Sequence, residues 1–212
     1  MNANTLYEGP ITLGNGRHLH IRALRRGEAV AVRELFARLS PRTRYLRFHS
    51  PLAILPDSLL HMLIDVDDSR RLALVAQLAD VPGGDIVGLG NLIAGDDDRA
   101  ELGVVVADAW QRQGIGVALA AGLLHAAEVR GCRRFVMYGF WGNPAVRPLL
   151  SHIADVTSTN TRFGVSEITF VRRRPMAMSA RAASHEPKTS AKDPLERAYE
   201  RILAAKGRPE KW

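Results

Sequence analysis

Two glycines standing two residues apart, Gly114 and Gly116, constrain this chain more than any other feature. They lie in Gln111-Arg112-Gln113-Gly114-Ile115-Gly116, after a strand-like apolar run from Glu101 to Val106 and at the head of a run of helical length, Gly114 to Arg130. A glycine-rich turn from strand to helix presents consecutive backbone N–H groups at the positive end of the helix dipole. The missing Cβ atoms let an anion approach that backbone closely, and Arg112 adds positive charge beside it. The spacing is not that of a P-loop, which ends in Gly-Lys-Ser/Thr. Nor is it a dinucleotide fingerprint, whose three glycines open a strand–helix–strand repeat near the chain start.

The surrounding pattern reads as an α/β sheet of mixed direction. Ile11-Thr12-Leu13, the turn Gly14-Asn15-Gly16 and the alternating run His18 to Leu24 form a hairpin leading into a first strand. Arg26 to Leu39 carries Ala29, Val32, Leu35, Phe36 and Leu39 at helical spacing, and Ser40-Pro41 ends it. Pro56 to Ile64 gives a short helix with proline in its first turn. Arg71 to Leu78 and Asp85 to Ile93 are strands joined by the turn-rich Ala79 to Gly84. Arg134 to Tyr138 is a strand, and Asn143 to Ile153 a helix that Pro148 should distort. Val156 to Thr161 and Val165 to Val171 close the sheet as a last pair. Asp96-Asp97-Asp98 is read as a solvated turn, and no metal site is called for.

The chain is divided into a domain over residues 1–174, a flexible linker over 175–192, an amphipathic helix over 193–207 and a terminal tail over 208–212. Asp193-Pro194-Leu195-Glu196 is a strong helix start, and Leu195, Ala198, Tyr199, Ile202 and Leu203 make a stripe that needs a partner surface. That surface is its own domain, a second subunit or a target protein. The net charge of +7 is concentrated here. From Arg172 onward there are eleven basic and five acidic side chains, against eighteen and seventeen before it. A nearly neutral body does not describe a nucleic-acid-binding domain. No apolar run reaches the roughly 20 residues of a membrane span, so no membrane partner is expected. The single Cys132 fits a reducing compartment, and the expected location is the cytoplasm.

The passage from Glu101 to Gly116 resembles the GCN5-related N-acetyltransferase (GNAT) superfamily, whose signature is Gln/Arg-x-x-Gly-x-Gly/Ala at the start of a helix after a central strand. The resemblance covers about residues 18–172 and implies the GNAT fold, a mixed, mostly antiparallel sheet flanked by helices. It implies acetyl-CoA as co-substrate, with the backbones of Val104 and Val106 pairing with the acetyl carbonyl and the pantetheine arm. It places the pyrophosphate in the loop Gln111, Arg112, Gln113, Gly114, Ile115, Gly116 and Val117, and Asn143 beside the pantetheine arm. A narrower resemblance is to bacterial Pat-type protein lysine acetyltransferases, which modify acyl-CoA synthetases. Leu39-Ser40-Pro41-Arg42-Thr43-Arg44-Tyr45-Leu46-Arg47-Phe48 is similar to a segment of their acetyltransferase domains. Ala100-Glu101 resembles the pair that supplies their proposed base. No segment of these 212 residues is expected to form the cyclic-nucleotide or synthetase-like domains of that subgroup, and the polar tail is not part of its pattern.

Amine acetylation needs the amine neutral, and for a free lysine near pH 7 that costs about 4.6 kcal/mol. A general base helps remove the proton, and Glu101 is the candidate; His125 and His152 are rivals. Tyr45, Phe48 and His49 lie in the segment expected to line the acceptor side. The backbone N–H of Val104 is a candidate oxyanion donor. Many superfamily members carry a tyrosine acid seven residues after the asparagine, where this chain has Leu150, leaving Tyr138 and Tyr45 as alternatives. The expected activity is acetyl transfer to a protein lysine. Transfer to a small-molecule amine and a CoA-binding regulatory module without turnover are the alternatives.

Overall fold

A computed structural model describes residues 11–173 apart from 15, 68–69, 80–82, 96–97 and 141. The expectations for the linker, the 193–207 helix and the terminal tail lie outside the described residues, as do Asn15, Asp96 and Asp97. Eight strands form one sheet: β1 Ile11–Thr12, β2 His18–Ala23, β3 Arg71–Leu78, β4 Ile86–Ala94, β5 Arg99–Val106, β6 Arg134–Phe140, β7 Ala154–Arg162 and β8 Val165–Arg172. Their order is β1-β2-β3-β4-β5-β6-β8-β7, antiparallel at every junction except the parallel pair β5–β6. The expected mixed sheet is therefore present, with β8 inserted beside β6 so that β7 becomes the edge.

Alternation along the strands divides the core in two. Ala73, Val75, Leu89 and Val105 point to one face, covered by α1 (Ala29–Ala37), α2 (Pro41–Phe48) and α3 (Asp57–Ile64). Leu74, Ala76, Leu92, Leu102, Phe135 and Met137 point to the other, beneath α4 (Ile115–Val129) and α5 (Val146–Ile153). Leu119, Leu123 and Leu124 of α4 are fully buried there, each contributing roughly 1.5–3 kcal/mol. The helix lies close because β4 carries glycine beneath it. A Cβ on Gly90 would stand 2.8 Å from Leu123 Cδ1.

Two local expectations are corrected. Ser40-Pro41 ends α1 but also starts α2, a helix the sequence reading did not assign. Ser40 caps it by accepting from the Thr43 amide at 3.2 Å, with Pro41 at the first position, where a missing N–H costs nothing. The last helix begins at Val146 rather than Asn143. Pro148 is thus its third residue, within the first turn whose N–H groups have no intrahelical acceptor, and it does not interrupt the helix.

Candidate active site

The parallel pairing of β5 with β6 extends only over Arg99–Glu101 against Arg134–Val136. Both strands continue beyond it, to Val106 and Phe140, so the sheet opens between them. The other edge of β5 stays paired to β4 along its length. At the two ends of that ladder Gly95 N donates to Arg99 O at 2.9 Å and Ala107 N to Val87 O at 2.8 Å. Antiparallel bonds alternate, so Glu101, Gly103 and Val105 turn their backbone groups to β4. Val104 and Val106 turn theirs into the opening, beyond the pairing with β6 that ends at Glu101.

The glycine-rich loop follows directly. Asp108–Trp110 forms a single 3-10 turn, Arg112 takes φ 58°, and Gly114 caps α4 at φ 85°. The first helical bond runs from Ala118 N to Gly114 O at 3.0 Å, so the amides of Ile115, Gly116 and Val117 have no intrahelical acceptor. Nothing lies within 4 Å of where a Gly114 Cβ would sit. One on Gly116 would touch only the Val104 and Val106 methyls, at 3.9 Å. The free amides therefore adjoin the opening. Ile115 is buried and anchors the helix end, and Val117 is half-buried.

The two glutamines do internal work. Gln111 Nε2 donates to Val106 O at 3.0 Å and to Thr43 Oγ1 at 3.2 Å, tying the loop to β5 and to α2. Gln113 Nε2 donates to Ala109 O at 3.2 Å. Asp108 completes the tie. Its carboxylate accepts from Ser40 N at 2.8 Å, Ser40 Oγ at 2.7 Å and Thr43 Oγ1 at 2.7 Å. Burial by itself would raise this carboxyl, but the bonds from Ser40 and Thr43 outweigh it and hold Asp108 below the usual carboxylate range.

On the face of β5 turned towards α2, Glu101 is exposed at the last residue paired to β6. Two residues on, Gly103 has the Arg47 guanidinium against it: a Cβ there would stand 2.6 Å from Arg47 Cζ and 3.0 Å from Nη1. Burial pulls Arg47 down from the ordinary arginine range, while Glu101 opposes the shift. His49 closes α2 in a left-handed conformation, φ 54°, with its ring edge-on to Phe140 at 4.8 Å. Its Nε2 is buried without a partner among the described residues, and burial, then the Arg47 charge, lower its pKa, so the imidazole is neutral at neutral pH. Tyr45 stacks on Phe140 at 4.7 Å and is 44% exposed. Phe48 turns inward, 5.6 Å from Phe36, and packs against the core under α1.

This architecture has a clear set of relatives. The model of the acetyltransferase (GNAT) family matches residues 18–150. The chain belongs to the GNAT acetyltransferase family. It is 31% identical over 139 residues to Acetyltransferase PA5475 of Pseudomonas aeruginosa, covering 65% of this chain and 75% of that one. Among solved structures it is similar to the GNAT domain of S. lividans PAT, with TM-score 0.68 and 22% identity, over 77% of this chain and 96% of that one. It is also similar to yncA, a putative acetyltransferase from Salmonella typhimurium solved with its cofactor acetyl-CoA. That match has TM-score 0.56 and 20% identity, over 76% of this chain and 98% of that one.

The protein is thus an acetyl-CoA-dependent N-acetyltransferase of the GNAT fold. In this acetyltransferase Asn143 lies just ahead of α5, with its side-chain oxygen accepting from Ala145 N at 3.0 Å. Leu150 is buried in the core. Tyr138 is 40% exposed on the same face as Glu101, and burial, Glu167 and Glu101 together raise its pKa against the opposing Arg99, so its phenol keeps its proton. The rival histidines are engaged elsewhere. His125, on α4, has its Nδ1 3.4 Å from Arg172 Nη1 of β8, and His152 Nδ1 is 2.6 Å from Pro148 O. Sequence reasoning missed Arg47, Asp108 and Phe140. For Arg47 one signal was present: a glycine in the middle of an otherwise apolar strand marks a close approach by another group.

Proposed function

We propose that this acetyltransferase transfers the acetyl group of acetyl-CoA to the ε-amine of protein lysines, with Glu101 as general base. The observation that carries this reading is where Glu101 sits: exposed, at the point where β5 leaves β6, on the face opposite α4. The loop at Gly114 and the outward backbone of Val104 and Val106 would hold the CoA from the α4 side. The acceptor then enters from the α2 side. That side favours a macromolecular amine, because past α2 it is open, with Tyr45 and Tyr138 both substantially exposed. The likeness of residues 39–48 to the Pat-type segment points the same way.

In the proposed reaction the lysine ammonium gives a proton to the Glu101 carboxylate, directly or through a water. The neutral nitrogen attacks the thioester carbon and forms the C–N bond. The Val104 amide donates to the oxygen that gains charge. The C–S bond then breaks, the second amine proton is lost to solvent, and CoA leaves as thiolate. Tyr138, which keeps its proton and shares the face of Glu101, would then supply a proton to that sulfur.

The test is incubation with acetyl-CoA and either lysine-containing proteins, an acyl-CoA synthetase among them, or small amines such as polyamines and amino acids. CoA release and mass spectrometry are the readouts. Lysine acetylation at rates well above those for small amines is expected. A rate confined to small amines would assign the other substrate class.

A further inference from the structure

Two opposite charges flank Gly103 on the acceptor face, and neither has an ion pair within 4 Å among the described residues. The Glu101 carboxylate is exposed on one side. The Arg47 guanidinium, half-buried on the other, has as its described neighbours the β5 backbone at Gly103 and the Phe48 ring, 5.2 Å away. They sense one another electrostatically without closing into a pair. The remaining charges on this face differ: Arg99 and Glu167 lie 3.5 Å apart and satisfy each other. His49, beside Arg47, is neutral and competes for no anion.

A guanidinium carries five N–H donors in a planar fork that matches a carboxylate. Burying it without an anion is unfavourable, and β5 has given up a side chain at Gly103 to admit it. The CoA phosphates do not supply the missing anion. Their expected cradle at Gly114 belongs to the opposite face, and begins beyond Val106, about 10 Å of strand away. The anion must come from the acceptor side.

We infer that Arg47 is a specificity-determining residue that binds a carboxylate on the acceptor, so that the enzyme selects amines whose carboxylate reaches Gly103 while the reacting nitrogen sits at Glu101, about 7 Å of strand away. Glu101 takes the ammonium and Arg47 the carboxylate, and the acceptor bridges two charges that the fold holds apart. For the proposed lysine acceptor, on which this inference rests, the carboxylate is an Asp or Glu beside the target lysine. For a free amino acid it is the molecule's own.

The experiment compares matched acceptors that differ only in the carboxylate. Lysine peptides flanked by Glu or by Gln form one arm, and lysine against cadaverine the other. Each is assayed for kcat/KM with saturating acetyl-CoA, and for binding to CoA-loaded protein by calorimetry, in wild type, Arg47→Met and Arg47→Lys. Wild type is expected to favour the carboxylated member of a pair by at least about 10-fold, the scale of one charge-assisted hydrogen bond. Arg47→Met abolishes that preference, lowering kcat/KM for the carboxylated member by at least about 10-fold more than for the uncharged one, and Arg47→Lys restores part of it. The arm with the larger ratio identifies the source. Equal handling of both members by wild type, or a preference that survives in Arg47→Met, overturns the inference. So does an Arg47-dependent preference for succinyl-CoA over acetyl-CoA, which would put the anion on the acyl chain. Absence of CoA release with every acceptor would instead contradict the lysine reading, and calorimetry still decides the role of Arg47.

Discussion

Replacing Ser40 by alanine should loosen the acceptor side from the cofactor side, and the size of the effect follows from what Ser40 holds. Its side chain caps α2, an interaction whose loss costs about 1 kcal/mol. Its Oγ also gives Asp108 one of three hydrogen bonds. Bonds to a carboxylate are worth more than neutral ones, but this one is near solvent, and screening leaves up to about 1 kcal/mol. Ser40→Ala should therefore destabilise by about 1–2 kcal/mol, lowering Tm by roughly 2–8 °C for a domain of this size. Asp108→Asn supplies the pH test. Because the folded state holds Asp108 below the usual carboxylate range, its contribution is complete above the unfolded value, about 3.9, and disappears as pH falls through the lowered folded value. The deficit of Asp108→Asn relative to wild type should stay constant from pH 8 to about 5 and close below about 4. Chemical denaturation across that range measures it. In activity assays both variants should raise KM for the acceptor more than they lower kcat, since α2 carries Tyr45 and Arg47. A Tm within about 1 °C of wild type for Ser40→Ala, or a deficit for Asp108→Asn that persists at low pH, would refute the reasoning.

Three further outcomes follow from the geometry. Glu101→Gln should leave acetyl-CoA affinity nearly intact and lower turnover by about 10²–10⁴; equal turnover across the pH range would remove Glu101 from the mechanism. Gly116→Asp should raise the acetyl-CoA Kd by at least about 10-fold with little change in Tm, because the fold has room for a Cβ there but the anion site does not tolerate the charge. Unaltered affinity would sink the pyrophosphate assignment. Gly90→Ala should destabilise by about 1–3 kcal/mol, since its Cβ meets Leu123 Cδ1 at 2.8 Å; a neutral result in denaturation would show that α4 can shift away freely.

β3 and β4 were legible as short apolar runs buried on both faces, and the turns that bound the hairpins carry glycine, proline or aspartate. The helix α4 was legible from its length and its glycine-rich head. The helix α2 was not, because Pro41-Arg42-Thr43-Arg44-Tyr45-Leu46-Arg47-Phe48 has no apolar stripe. Its position is set by tertiary bonds instead: the Ser40–Asp108 tie, and Arg44, which donates to Phe36 O at 3.2 Å and Ala37 O at 3.0 Å at the end of α1 and to Ala53 O at 2.6 Å. The opening between β5 and β6 is likewise a property of long-range pairing, invisible in the local pattern of either strand. Glu101, Gly114 and Gly116 could be named from motif and spacing. Arg47 could not, because its neighbours Gly103 and Glu101 come from a strand more than fifty residues away in the chain.

The most direct test of the cleft is amide hydrogen exchange resolved by residue, with and without a non-hydrolysable acetyl-CoA analogue. Val104 and Val106 turn their amides away from β4, and those of Ile115 to Val117 lack intrahelical acceptors. All should exchange quickly in the free protein and slow markedly on binding, whereas Gly103 and Val105, already bonded to β4, should change little. Protection that appears elsewhere on the molecule, with Val104 and Val106 still exchanging freely, would contradict the placement of acetyl-CoA between β5 and β6.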